Sequence, residues 1–339
     1  MLYITTRGNR DAYTAHRTLC SDFAPDGGCF IPMSMPKYTE SEILALKNKT
    51  FSETVAEVLN QFFSTQMSGL DVDLLIGRST LKMVSMNLKL VIAEIWRSPS
   101  GTFSHAIERL YRSLAQNETV MEKPTEWVRI AVRTAVLFAI YGQMLSCNMI
   151  SGTGTLDISI PIGDFTPVSA AIYAKDMGLP IGMIICTADE NNSPWELIQR
   201  SSFTPSSVDA SLLPGLERLI HLKMGTEESL RFQEKCRAKR NYLLDEERFS
   251  AFSADLFCAV AGNSRAGSTI NSIFRSNSYL IDPVTAYCYG GLQDYRAKAG
   301  ESRLTLLISE ETPLHFAKEI TEATGVSKNK LADYINRPE

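Results

Sequence analysis

One segment limits the fold of this chain more than any other: "LDISIPIGDFTPVSAAIYAKDMGLPIGMIICTA". "LDISIP" reads as a buried strand and "PVSAAIYAKDMG" as a helix closed by Gly178. "PIGMIICTA" then reads as a second strand. Strand, helix and strand in that order form a βαβ unit, which implies a parallel sheet and a right-handed crossover. The turn between the first strand and the helix, Gly163-Asp164-Phe165-Thr166-Pro167, has the place of an anion site, where consecutive backbone N–H groups at a helix N-terminus hold negative charge. Thr166 reads as the N-cap and Pro167 as the first helical residue. Two residues oppose an anion there: Pro167 has no N–H to donate, and Asp164 brings a like charge.

The rest of the chain is organised around that unit. Residues 1–35 are extended and turn-rich, with Pro25-Asp26-Gly27-Gly28 as strong turn chemistry. The spacing predicts helices at about 40–47, 52–64, 80–97, 103–115 and 125–145. In the second, Val55, Val58, Leu59, Phe62 and Phe63 recur at helical intervals. Helices are expected from 189 to the strand "SRLTLLIS", then a helix from about Pro313 and a last one in "VSKNKLADYINR", capped at or just before Ser327. The class is α/β with a helical majority.

Composition excludes several functions. At 339 residues and a formal net charge of −4, with 21% charged residues, the chain lacks the basic surface that nucleic acid requires. The patch "RFQEKCRAKR" includes Glu234 and reads as a solvated helix face. The cysteines at 20, 29, 147, 186, 236, 258 and 288 form no CxxC pair, and the histidines at 16, 105, 221 and 315 show no metal-binding spacing. "TAVLFAIYGQML" is too short an apolar run to span a bilayer and reads as a buried helix. The N-terminus has no signal-peptide character. The expectation is a soluble, cytoplasmic protein with no nucleic-acid or membrane partner.

A family resemblance emerges from an ordered series of segments. "YITTRGN", "FAPDGGCFIP" and "SMPKYTESEI" resemble the N-terminal segment of threonine synthases. "IPIGDFTPVSAAIYAKDMGLPI" is similar to that family's Pro-Thr-Gly-Asn-Phe-Gly-Asn turn and the helix after it. "TPSSVDASLLPGLERLI", "YLIDPVTAY", "LLISEETPLHFAKEI" and "TEWVRIAV" resemble further family segments, in the family's order and across most of the chain. The resemblance implies a fold type II enzyme built like the tryptophan synthase β chain and using pyridoxal phosphate (PLP). That family converts O-phosphohomoserine to threonine with loss of phosphate.

The resemblance also implies site residues. Allowing a two-residue gap, Lys82 takes the place of the Schiff-base lysine; without the gap that place is Met83. Ser79-Thr80 would cap a helix running to Arg97, whose positive end lowers the ammonium pKa as imine formation requires. A solvated helical stripe of Lys82 and Lys89 is the alternative. Gly163, Asp164, Phe165 and Thr166 correspond to the phosphate cradle. Ser309 takes the place of the hydroxyl facing the pyridine nitrogen, or is an ordinary cap. "SGTGTLD" is the remaining glycine-rich stretch able to grip an anion, or a plain connection.

Where the family carries a second, smaller domain, the segment from Lys82 to Trp127 is less than half the usual length. The family's substrate loop has no counterpart in it. The expected organisation is therefore an N-terminal segment 1–35 packed on the body, a mostly helical small-domain remnant 36–148, and a large α/β domain 149–339. Two functions follow from these residues. In one, the parent reaction is impaired or lost and the cleft binds a small amino-acid-like molecule or a partner, with PLP opposed by Asp164 and Pro167. In the other, the chain is an active PLP-dependent lyase using Lys82. A homo- or hetero-oligomer is compatible with both.

Overall fold

The computed structural model describes residues 1–78, 81–97, 101–115, 121–188, 195–205, 209–260, 263–300 and 303–335. The chain opens with β1 (Leu2–Thr5), β2 (Tyr13–Thr14), α1 (Ala15–Cys20) and β3 (Phe30–Pro32), whose strands form an antiparallel sheet in the order β2-β1-β3. The Pro25–Gly28 turn forms as its residues dictate. Gly27 adopts φ +75°, and Asp26 folds back to accept the Gly28 N–H at 2.8 Å.

Three helices follow, each opened by the same device: α2 (Glu40–Ala45), α3 (Phe51–Phe63) and α4 (Gly69–Ile76). Thr39 with Glu42, Thr50 with Glu53 and Ser68 with Asp71 form reciprocal capping boxes, so two orphan donors are satisfied at each helix start. Helix α4 lies beyond the elements expected from the sequence.

The helix expected over 80–97 does not form. In its place stand β4 (Lys82–Asn87) and β5 (Leu90–Glu94), an antiparallel hairpin. The Asn87 side chain accepts the Lys89 N–H at 2.9 Å and turns the chain. Val91 and Ile92 then enter a strand buried along its whole length, a setting that favours β-branched residues. Ser79 and Thr80, the expected caps, lie outside the described residues.

Next come α5 (Phe103–Leu114), α6 (Glu126–Ser146), β6 (Leu156–Pro161), α7 (Thr166–Asp176) and β7 (Ile181–Ala188). The strand–helix–strand reading of this last segment is what the structure contains. The C-terminal half holds α8 (Trp195–Arg200), β8 (Ser202–Phe203), α9 (Leu213–Arg237), β9 (Tyr242–Leu243), α10 (Glu246–Ser253) and β10 (Leu256–Val260). It continues through α11 (Asn263–Asn277), α12 (Pro283–Ala299), β11 (Thr305–Ser309), α13 (Ala317–Thr324) and α14 (Lys328–Ile335). Strand β10 interrupts the expected helical stretch.

Among the described residues the main sheet has the order β10-β7-β6-β11-β5-β4, parallel from β10 through β5, with β4 as an antiparallel edge. The expected small-domain remnant therefore does not stand apart, because its β4–β5 hairpin extends this sheet. Packing crosses the expected boundary at 148 as well, since one apolar cluster runs from Tyr3 to Leu306 and includes both α6 and α7. Trp127 sits at its centre, edge-on to Tyr3, Phe62 and Tyr173 at 5.3–5.4 Å between centroids. Its indole N–H donates to Tyr3, tying the N-terminal sheet to the body. Helix α6 is 21 residues long, longer than the apolar run within it. By length and composition it could cross a membrane, yet 83% of its most apolar window is buried inside the protein.

Candidate functional site

A cleft lies outside the carboxyl ends of β6 and β11, the position where open α/β sheets bind their ligands. It has two parts. An inner cavity of about 160 Å³ is walled mainly by apolar side chains of α6, α7 and β11, with Arg133, Asp282, Glu310 and Glu311 as its charged residues. An outer basin of about 660 Å³ contains Lys123, Arg129, Gly163 and Asp164. Arg133, Pro161, Pro167 and Glu310 line both and form the wall between them.

The turn that enters α7 is tightly determined. Gly163 and Phe165 both have positive φ, +51° and +66°. That geometry costs a non-glycine residue, and here it is held by complete burial of the Phe165 ring. Gly215 at the start of α9 lies so close that a Cβ there would collide with the Asp164 carbonyl. The Phe165 N–H is taken by the Ile162 carbonyl at 2.8 Å. Thr166 is the first helical residue, with Phe165 at the cap position, so Thr166 is not the N-cap its type suggests. Its N–H and its hydroxyl both donate to the Asp164 carboxylate, at 3.1 and 2.6 Å. Pro167 has no N–H. The three successive backbone positions 165–167 thus leave no donor for an outside anion.

Asp164 itself is the anion of this turn. Its second oxygen pairs with Arg129 on α6. Burial pushes the carboxyl pKa up, but Arg129, the Thr166 hydroxyl, Arg133 and the Thr166 N–H outweigh it and hold it below the usual value. One turn along α6, Arg133 grips Glu310 with two prongs, at 3.0 and 2.6 Å. Burial lowers the Arg133 pKa, but the Glu310 charge, the hydrogen bonds to Glu310 and the Asp164 charge together outweigh it and leave the pKa raised.

At the back of the inner cavity Asp282 caps α12. It accepts the Thr285 N–H at 2.9 Å, the Thr285 hydroxyl, and the Ser309 hydroxyl at 2.8 Å. Asp282 is 1% exposed, and burial raises its pKa in spite of those donors. Ser309 also accepts the Trp96 indole N–H at 3.1 Å. The Ser309 proton therefore goes to Asp282, and the hydroxyl serves the α12 cap instead of facing a ring in the cleft.

Lys82 is elsewhere. On edge strand β4 it lies opposite Glu94 and lines a separate pocket of about 300 Å³ with Arg97 and Tyr279. It has no helix dipole behind it, because no helix starts there. Of the expected site residues, the structure gathers Gly163, Asp164, Phe165 and Thr166 in one turn, sets Ser309 behind the cavity wall, and separates Lys82 from both. The Ser151–Thr155 stretch is a connection, with Thr153 donating to Glu40 on α2. Arg129, Arg133, Asp282 and Glu310 were not anticipated. Two arginines four residues apart in an otherwise apolar helix were the available signal.

Comparison with known proteins agrees with this architecture. Residues 2–80 match the family described as threonine synthase N terminus. The curated protein Threonine synthase-like 1 of Pongo abelii is 25% identical over 173 residues, which is 47% of this chain and 23% of that protein. The chain thus spans about a quarter of that relative's length. Threonine synthase-like 2 of Xenopus laevis is 22% identical over 398 residues, covering 84% of this chain and 83% of that protein. The crystal structure of PLP-bound threonine synthase from Brucella melitensis superposes with a TM-score of 0.79 at 17% identity, covering 100% of this chain and 95% of that one. The fold is that of the fold type II PLP-dependent enzymes.

Proposed function

The chain is a diverged member of the threonine synthase family, and from that premise we propose that it has lost the family's PLP-dependent reaction and keeps the old cleft for binding a small molecule. One observation carries this reading: the carboxylate of Asp164 occupies the anion position of the Gly163–Pro167 turn.

PLP does not fit the residues present. Its phosphate would meet a fixed negative charge, and two unit charges 4 Å apart interact by about 4 kcal/mol at an effective dielectric of 20. Arg129 and solvent at the 38%-exposed Asp164 side chain reduce that figure. Its ring nitrogen would find Ser309 committed to Asp282. Its aldehyde would find no lysine among the inner cavity's lining residues, and the lysine that lines the outer basin, Lys123, is not the one that the family resemblance puts at the Schiff-base position. The competing reading, an active lyase, requires Lys82 to reach the cleft from a different pocket.

Absorbance of purified protein with added PLP tests this. The expected outcome is no visible imine band and no lysine labelled after borohydride reduction. Micromolar binding with one trapped lysine would overturn it.

A further inference from the structure

We propose that the inner cavity is a binding site for a small aliphatic ammonium ion, with Asp282 as its counter-ion. The proposal rests on the reading that PLP does not fill the cleft, and it deepens that reading by naming a ligand class. Size is the first argument. A cavity of about 160 Å³ matches an engineered cavity known to hold benzene, so the occupant has about six non-hydrogen atoms. PLP, with its substituted ring and phosphate arm, is far larger.

The character of the walls is the second. Phe103, Val136, Leu137, Ile160 and Ile308 offer hydrocarbon contact to the ligand's body. Among the charged groups, Arg133 and Glu310 neutralise one another through two hydrogen bonds. Glu311 is turned to Thr102 and His315, each at 2.9 Å. Asp282 differs from both. Its bonded partners among the described residues are the Val284 and Thr285 N–H groups and the hydroxyls of Thr285 and Ser309, none of them a cation.

A buried carboxylate without a counter-charge is costly, and it either takes up a proton or draws in a cation. An ammonium in the cavity supplies that cation while its hydrocarbon covers the apolar wall. An anion would meet Asp282, Glu310 and Glu311 with only Arg133 in its favour. A neutral molecule of the same shape would gain the apolar contact and leave Asp282 uncompensated. The Arg133–Glu310 pair lines both this site and the outer basin, so it stands where the two meet.

The structure contains its own reporter. Trp96 donates to Ser309, which donates to Asp282, so the Trp96 indole N–H senses the charge state at the site. The probes are cyclopentylammonium and its neutral counterpart cyclopentanol, titrated against the full chain while the indole N–H resonances are followed. The expected result is a saturable shift at Trp96, with the ammonium binding at least tenfold more tightly than the alcohol. Asp282→Asn, which keeps an acceptor for the Thr285 N–H, should bring the ammonium down to the level of the alcohol. Ala170→Leu, which fills the cavity from α7, should abolish binding of both.

Equal affinity for the two probes, no saturable shift, or undiminished ammonium binding by either variant would overturn the proposal. Parallel samples with PLP separate the two levels of inference. A trapped PLP–lysine adduct would sink the reading that the cleft excludes PLP. An absent ammonium response with no such adduct would sink this proposal alone.

Discussion

Two helix starts in the cleft are built from the same parts and carry opposite charge behaviour. At α7, Asp164 accepts an N–H and a hydroxyl from Thr166. At α12, Asp282 accepts an N–H and a hydroxyl from Thr285. Each is an acid binding a threonine just inside a helix. Yet the Asp164 pKa lies below its ordinary value and that of Asp282 above it. The difference comes from elsewhere in the chain: α6 delivers Arg129 to the first site, while apolar walls close around the second. Local sequence sets the cap, and the tertiary neighbour sets the charge. It follows that the first site is already satisfied as an anion position, and the second still lacks a cation.

The largest effect should come from breaking the α12 cap. Asp282→Ala removes the cap and strands buried donors of Thr285 and Ser309, a loss of about 2–4 kcal/mol in denaturant unfolding. A loss below about 1 kcal/mol would mean that water or a rearranged partner replaces the carboxylate. A smaller effect is expected from Arg129→Met. The Arg129–Asp164 pair is about one-third exposed at each end, which places the loss at about 1–2 kcal/mol, between exposed and buried pairs. Adding Asp164→Asn should recover part of that loss, because the stranded charge goes with it. Additive losses in the double-mutant cycle would deny the coupling.

The smallest effect, and the sharpest contrast, is in the pH slope of stability. The folded Asp164 pKa is depressed, so its contribution is present above the unfolded value near 3.9 and is lost as pH falls through the folded value. The folded Asp282 pKa is raised, so its contribution is present below about 3.9 and is lost as pH rises through the folded value. Asp164→Asn should therefore flatten the acid limb of the stability curve, and Asp282→Asn the limb above it. Parallel changes in both variants would show that the two carboxyls are shifted in the same direction.

How much of this was legible in the sequence depended on how far each element reaches for its partner. The β6–α7–β7 unit could be read because its apolar runs and Gly178 are local signals. Helix α4 could have been read too, since Ser68 and Asp71 spell a capping box three residues apart. The β4–β5 hairpin reads as a helix from sequence because Lys82 and Lys89 fall seven residues apart, which mimics a helical face, and the Asn87 turn between them is a short local signal. Strand β10 is a short apolar run whose identity depends on pairing with β7. The site was least legible. Arg129 finds Asp164 35 residues away and Arg133 finds Glu310 177 residues away, and no local pattern announces either pair. Asp164 was visible as an obstacle to phosphate, whereas its role as the internal anion required Arg129 and Thr166 to be placed around it.

The central claim is that Asp164, together with Pro167, closes the cradle to an outside phosphate. The most direct test is a PLP titration of the unaltered chain beside the double variant Asp164→Asn, Pro167→Asn, followed by PLP absorbance at equilibrium. The variant removes the internal carboxylate and restores a backbone donor, and it should bind PLP at least about tenfold more tightly, about 1.4 kcal/mol, while the unaltered chain binds weakly or not at all. Equal affinities, or tight binding by the unaltered chain that the two substitutions weaken, would contradict it.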